Sequence, residues 1–136
     1  MSSLTIVDTD ILIDAARQVG DAVDCLDLIE RASTLAISIV TEMELLIGCR
    51  SKTELRSTER FWQRFQLLRL NEQACDQAVE LLRQYRLSHG LLIPDAMIAA
   101  TAMTQGYPLI SKNQRDFRFI GGLQLLPYPA PYASTL

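Results

Sequence analysis

Three short apolar runs punctuate the chain: Leu4–Val7, Leu35–Val40 and Leu109–Ile110. They are continuous rather than alternating, as strands buried on both faces of a parallel sheet are. Between them the apolar positions recur at helical spacing. Ala22, Cys25, Leu26 and Ile29 fall on one helix face, and Ala74, Ala78, Leu81, Leu82 and Tyr85 fall on a longer one that Asn71 can cap. Pro94 suits the first turn of another helix, which runs through Ala99, Ala100 and Ala102 and stops near Gly106. Phe61, Trp62 and Phe65 lie on a helix that begins near Ser51. Strands alternating with helices predict a three-layer α/β domain. No repeat or linker divides residues 1–136, so one domain is expected. The proline-rich stretch 127–136 reads as an extended tail over its surface.

Composition narrows the chemistry. Hydrophobic residues are 49% and charged ones 21% of 136, which is a globular balance with enough chain for a real core. No apolar run approaches the ~18 residues that a membrane span needs. The N-terminus lacks the basic start and apolar stretch of a signal peptide, and Cys25, Cys49 and Cys75 show no paired spacing. A cytoplasmic protein with reduced, mostly buried thiols is expected. A net charge of −3 gives no whole-molecule attraction to nucleic acid, so any such contact needs a local basic patch. His89 is the single histidine, which excludes paired imidazole catalysis and a histidine-rich zinc site. Hydrolytic chemistry would have to run on carboxylates, and carboxylates that hydrolyse phosphoesters usually hold a metal.

The acids are placed suggestively for that role. Asp8 closes the first strand, Glu44 follows the second within the first turn of a helix opened by Thr41, Asp95 follows Pro94, and Asp116 follows the third strand. The C-terminal ends of parallel strands and the N-termini of the following helices share one sheet edge, where ligand sites form. The four acids can converge there, with a divalent cation relieving their repulsion.

Each acid also has a plainer reading. Glu44 can complete a capping box with Thr41, Asp95 can complement a helix dipole, and Asp116 can belong to a turn. Asp8 alone has no evident capping duty. Asp10 can cap the next helix or support the acids from behind, and Asp14, Glu30 and Glu80 read as solvated. His89, beside Gly90, reads as a helix-end residue. Lys52, Arg56, Arg60 and Arg64, spaced by four, form a basic stripe read as a solvated face. Lys112, Arg115 and Arg118 bracket Asp116, where a phosphodiester substrate would need cations. Asp8-Thr9-Asp10 also fits the opening of aspartate-nucleophile phosphatases, with Asp8 phosphorylated and Asp10 as acid. An α/β partner-binding module whose acids are all caps is the non-enzymatic alternative.

Four segments together resemble the PIN-domain ribonucleases, specifically the VapC toxins of bacterial toxin–antitoxin pairs. "IVDTDILID" looks like the family's opening strand with its acid, Asp8. "SIVTEMELLIG" is similar to the second motif and selects Glu44, with Leu45 after it and Gly48 following. "IPDAMIAATAMTQGYPLIS" resembles the third, with Asp95. "SKNQRDF" resembles the last, with Asn113 and Asp116, although Ser111 stands where Thr is common. The resemblance implies a sheet of about five mostly parallel strands between helices, and an endoribonuclease using Mg²⁺ or Mn²⁺. It also implies a cognate antitoxin, an RNA substrate and a homodimer. Asp8, Asp95 and Asp116 would hold the metal, Glu44 would complete the acidic cluster, and Ser111 and Asn113 would steady the Asp116 loop. An antitoxin is expected to bury apolar surface around Phe61, Trp62 and Phe65.

Overall fold

The computed structural model describes residues 3–132. In chain order the elements are β1 (Leu4–Val7), α1 (Thr9–Ala16), α2 (Gly20–Ala32), β2 (Thr34–Ser38), α3 (Ile39–Ile47), α4 (Lys52–Trp62), β3 (Gln66–Leu68), α5 (Glu72–His89), α6 (Ile93–Gln105), β4 (Leu109–Ile110), a 3₁₀ turn (Gln114–Asp116) and β5 (Leu125–Leu126). The five strands form one sheet in the order β3-β2-β1-β4-β5, and every pairing is parallel.

Side chains alternate across the sheet and feed two cores. Leu4, Ile6, Ala36 and Leu109 point into a cluster with α5 and α6, around Ala78, Leu81, Ile98 and Ala99. Val7, Leu35, Ile37 and Ile110 point the other way, onto Ile11, Leu12, Cys25, Leu26 and Ile29 of α1 and α2. Ile6, Val7, Ile11 and Leu12 are wholly buried, and each such side chain contributes ~1.5–3 kcal/mol. These are the three expected layers.

Several local readings change. The apolar run Leu35–Val40 is not one strand, because Ser38 accepts from the Val40 backbone N–H at 3.1 Å and caps α3. Ile39 and Val40 therefore open a helix. Phe65 lies beyond the end of α4 and is buried beside β3, and Arg64 has also left the helix. Arg64 bonds Asp27 (3.1 Å) and Glu30 (3.2 Å) on α2, so the expected four-residue stripe is interrupted and Glu30 is paired rather than merely solvated. Glu80 is solvated as expected, 63% exposed in a surface pair with Arg83. Cys25 alone of the three thiols is buried, and Cys75 is exposed. In the tail, Tyr128 packs against the α1/α2 core, while residues 133–136 lie outside the described part. No helix of the described residues is long and apolar enough to cross a membrane.

Candidate active site

β1 lies between β2, which follows it in sequence, and β4, which the chain reaches only after returning across the sheet. The strand order reverses at this point, and the crevice beyond the strand ends there is where open α/β sheets bind ligands. Asp8 and Ser111 sit at the C-terminal ends of these two strands. The Asp8 N–H extends the ladder by donating to the Ile110 carbonyl at 2.9 Å, and Ser111 Oγ donates to Asp8 Oδ2 at 2.8 Å.

Contrary to expectation, Asp8 does cap a helix. Its Oδ1 accepts from the Thr9 N–H at 2.9 Å, at the start of α1. Two hydrogen bonds favour its charged form, but burial outweighs them, aided by the Asp10 and Glu44 charges, and lifts its pKa to about 6. The cap therefore does not account for the residue's cost.

Glu44 lies in the second turn of α3, whose cap is Ser38 rather than Thr41, so the capping-box reading fails. Its Oε1 instead accepts from Thr9 Oγ1 at 2.7 Å, and Thr9 Oγ1 also lies 3.0 Å from Thr41 Oγ1. Thr9 thus joins β1's acid to the acid of α3. Sequence reasoning passed over it, although it stands in the middle of Asp8-Thr9-Asp10.

Asp95 occupies the first turn of α6, where the helix dipole favours a negative charge. Its pKa nevertheless rises to about 7, through burial first and then the charges of Asp8, Asp116, Glu44 and Asp10. Burial comes first among these causes, and the opposing charges come from the other three acidic segments of the chain. Asp116 is exposed, at the end of the 3₁₀ turn, where its N–H donates to the Asn113 carbonyl at 3.0 Å.

Asn113 makes hydrogen bonds through both its side chain and its backbone in the loop that leads to Asp116. Its Nδ2 donates to Asp10 Oδ2, while its backbone N–H donates to Ser111 Oγ at 3.0 Å. Asp10 is therefore not a helix cap but a tie between α1 and the loop after β4. Lys112 Nζ donates to Asp14 Oδ2 at 2.8 Å, so Asp14, 17% exposed, is paired rather than solvated. The Asp14 bond and charge raise the Lys112 pKa. Gln114, also passed over in the sequence, donates to the carbonyls of Ser111 (2.7 Å) and Leu126 (3.0 Å). Arg115 and Arg118 are exposed, and neither has an ion-pair partner among the described residues. His89 is outside this network: its ring stacks on Phe119 at 4.2 Å, and its Nδ1 lies 2.8 Å from Ser88 Oγ.

Among the described residues no three carboxylate, imidazole or thiolate groups are drawn close enough to make a ready-built metal cage. An all-oxygen donor set still suits a hard divalent cation, which can be held by one or two carboxylates with water completing its shell.

A parallel α/β sheet with opposed acids at its switch point defines a class, and residues 5–123 match the PIN domain. The chain is 35% identical over 115 residues to Ribonuclease VapC10 of Mycobacterium tuberculosis, covering 84% of this chain and 86% of that one. It is 30% identical over 117 residues to Ribonuclease VapC1 of Methanocaldococcus jannaschii, covering 85% and 79%. It therefore belongs to the PIN-domain family, on its VapC branch. Among solved structures it is similar to a chain of a toxin–antitoxin complex from Klebsiella pneumoniae, with TM-score 0.75 and 28% identity over 94% of this chain and 99% of that one. It is also similar to a chain of VapBC2 from Rickettsia felis bound to a DNA fragment from its promoter, with TM-score 0.76 and 25% identity over 90% and 96%. Neither the phosphatase nor the partner-binding alternative is favoured by these likenesses.

Proposed function

We propose that this chain is the toxin of a toxin–antitoxin pair, an endoribonuclease that hydrolyses RNA phosphodiester bonds with Mg²⁺ or Mn²⁺ and works in the cytoplasm as a homodimer. The observation that carries the reading is Asp8, buried at the switch point and bonded to Ser111 at 2.8 Å, in a chain whose residues 5–123 match the PIN domain. The charges of Asp8, Asp116, Glu44 and Asp10 also oppose the ionisation of Asp95. Carboxylates that oppose one another's ionisation without a counter-charge are costly, and a cation converts the cost into binding. Asp8, Asp95 and Asp116 would hold the ion. When bound, it would acidify a water and offset charge on the phosphate.

The chain's own residues supply the remainder. Ser111 and the Thr9 N–H hold both oxygens of Asp8 in place, each leaving a lone pair free. Thr9 aims Glu44, which completes the acidic cluster and orients water. Arg115 and Arg118 would meet RNA phosphates beside Asp116.

The antitoxin would lie in the groove between α1, α3 and α4, about 730 Å³, lined by Leu12, Leu45, Gly48 and Phe61 and opening beside Glu44. Ile47, 84% exposed, and Met43 add exposed apolar surface elsewhere on α3, whereas Phe65 is buried and cannot contribute. A basic side chain of the antitoxin placed among the acids would displace the metal.

The deciding experiment is RNA cleavage by the purified chain with Mn²⁺, with EDTA, and with D95N. Cleavage is expected only for wild type with metal. Activity that survives EDTA would sink the metal-dependent reading. Expression should arrest growth, co-expression of the antitoxin should relieve it, and D95N should be harmless.

A further inference from the structure

Four consecutive side chains fasten the loop after β4 to different parts of the molecule. Ser111 donates to Asp8 at the end of β1, Lys112 to Asp14 and Asn113 to Asp10 on α1, and Gln114 to the Leu126 carbonyl of β5. Asp10 and Asp14 are one helical turn apart, so adjacent loop residues grip adjacent turns of α1. Asp116 follows two residues later, exposed and held within its own turn by the bond to the Asn113 carbonyl. Its position is therefore inherited from the ties at 111–114.

The Lys112–Asp14 pair is the outermost of these ties. A fully exposed pair would be weak, with solvent screening it. Asp14, however, is only 17% exposed, and a carboxylate partly withdrawn from water holds its cation more firmly. The ammonium lies 2.8 Å from Asp14 Oδ2 on α1, while the Lys112 side chain stays 48% exposed.

We propose that Lys112 and Asp14 are positioning residues: their ion pair latches the loop to α1 and so sets Asp116, and Lys112 does not serve as an RNA contact. The proposal rests on the ribonuclease reading above. Misplacing a reacting group by about 1 Å can cost ~100-fold in rate, so a modest tie can matter kinetically while contributing little to stability.

The test compares K112A, K112R, D14N and the charge swap D14K/K112D in the full chain. Three quantities are measured: kcat and KM for RNA cleavage, Mn²⁺ affinity by calorimetry, and amide hydrogen exchange of residues 112–118 without metal. K112A and D14N should each lower kcat about 10-fold with KM nearly unchanged, weaken Mn²⁺ to a similar degree, and speed exchange in the loop. K112R should keep most activity, and the swap should recover most of what either single charge loss removes. A raised KM in K112A with D14N silent would overturn the proposal and make Lys112 an RNA contact. Faster exchange with unchanged kcat and Mn²⁺ affinity would also overturn it. If the wild type cleaves no RNA, the ribonuclease reading fails, while exchange and Mn²⁺ affinity still decide the latch.

Discussion

Asp8 and Asp95 are carboxylic acids that the fold makes reluctant to ionise, with pKa values of about 6 and about 7 against an ordinary 3.8. For an acid raised on folding, the stability it contributes is fully present below the unfolded value. It is lost as pH climbs through the folded one. The metal-free protein should therefore lose stability between about pH 4 and pH 8 from these two groups. For Asp8 the interval from 3.8 to about 6 corresponds to ~3 kcal/mol. Asp95 is half-buried, so solvent screening discounts its share to the order of ~2 kcal/mol. D95N removes the charge without removing a helix cap. Its melting temperature should exceed that of wild type at pH 8 in EDTA and match it near pH 4, and Mn²⁺ should narrow the gap at pH 8. Parallel melting curves for the two proteins across that range would mean Asp95 carries no such burden.

At the scale of elements, the site depends on how α1 and α3 leave the sheet. Asp8 caps α1 and Ser38 caps α3, so both helices start at strand ends and carry their acids to the same edge. Thr9 links them through the 2.7 Å bond to Glu44. Thr9→Val keeps the shape and removes the donor, leaving a half-buried carboxylate less well satisfied. It should lower kcat about 10-fold with a stability change of ~1 kcal/mol, read from cleavage kinetics and urea melts. Unchanged kcat would remove Thr9 from the machinery. The element boundaries around these caps were hard to read in sequence, because Ile39 and Val40 are apolar like the strand before them. The two-residue strands β4 and β5 are too short to show any period, and only Leu109–Ile110 was discernible, as a short apolar run.

The whole molecule brings a single histidine and a cluster of acids, and it keeps them apart. His89 is occupied with Phe119 and Ser88, so no paired imidazoles exist to activate a ribose 2′-hydroxyl and protonate the leaving oxygen. Hydrolysis by water at the acidic edge should leave a 5′-phosphate and a 3′-hydroxyl. A single 2′-deoxy substitution at the scissile nucleotide should be tolerated. Mass spectrometry of the fragments checks this, and a 2′,3′-cyclic phosphate on the upstream product would refute it.

Period and chain order alone were enough to determine the class of fold, the burial of Leu4–Val7, the helix start near Ser51, the cap at Asn71, and the helix ends at Gly90 and Gly106. Those features follow from local sterics and from apolar spacing, which the linear sequence carries. The meeting of Asp8 with Ser111 at the switch point depends on the strand order β3-β2-β1-β4-β5, which no local pattern carries. Hydrogen bonds between side chains distant in sequence were not legible at all. Thr9 to Glu44, Asn113 to Asp10 and Lys112 to Asp14 each join residues whose proximity no local pattern encodes. Their partners are chosen by which strand ends and helix turns the sheet sets side by side, and that choice belongs to the tertiary structure.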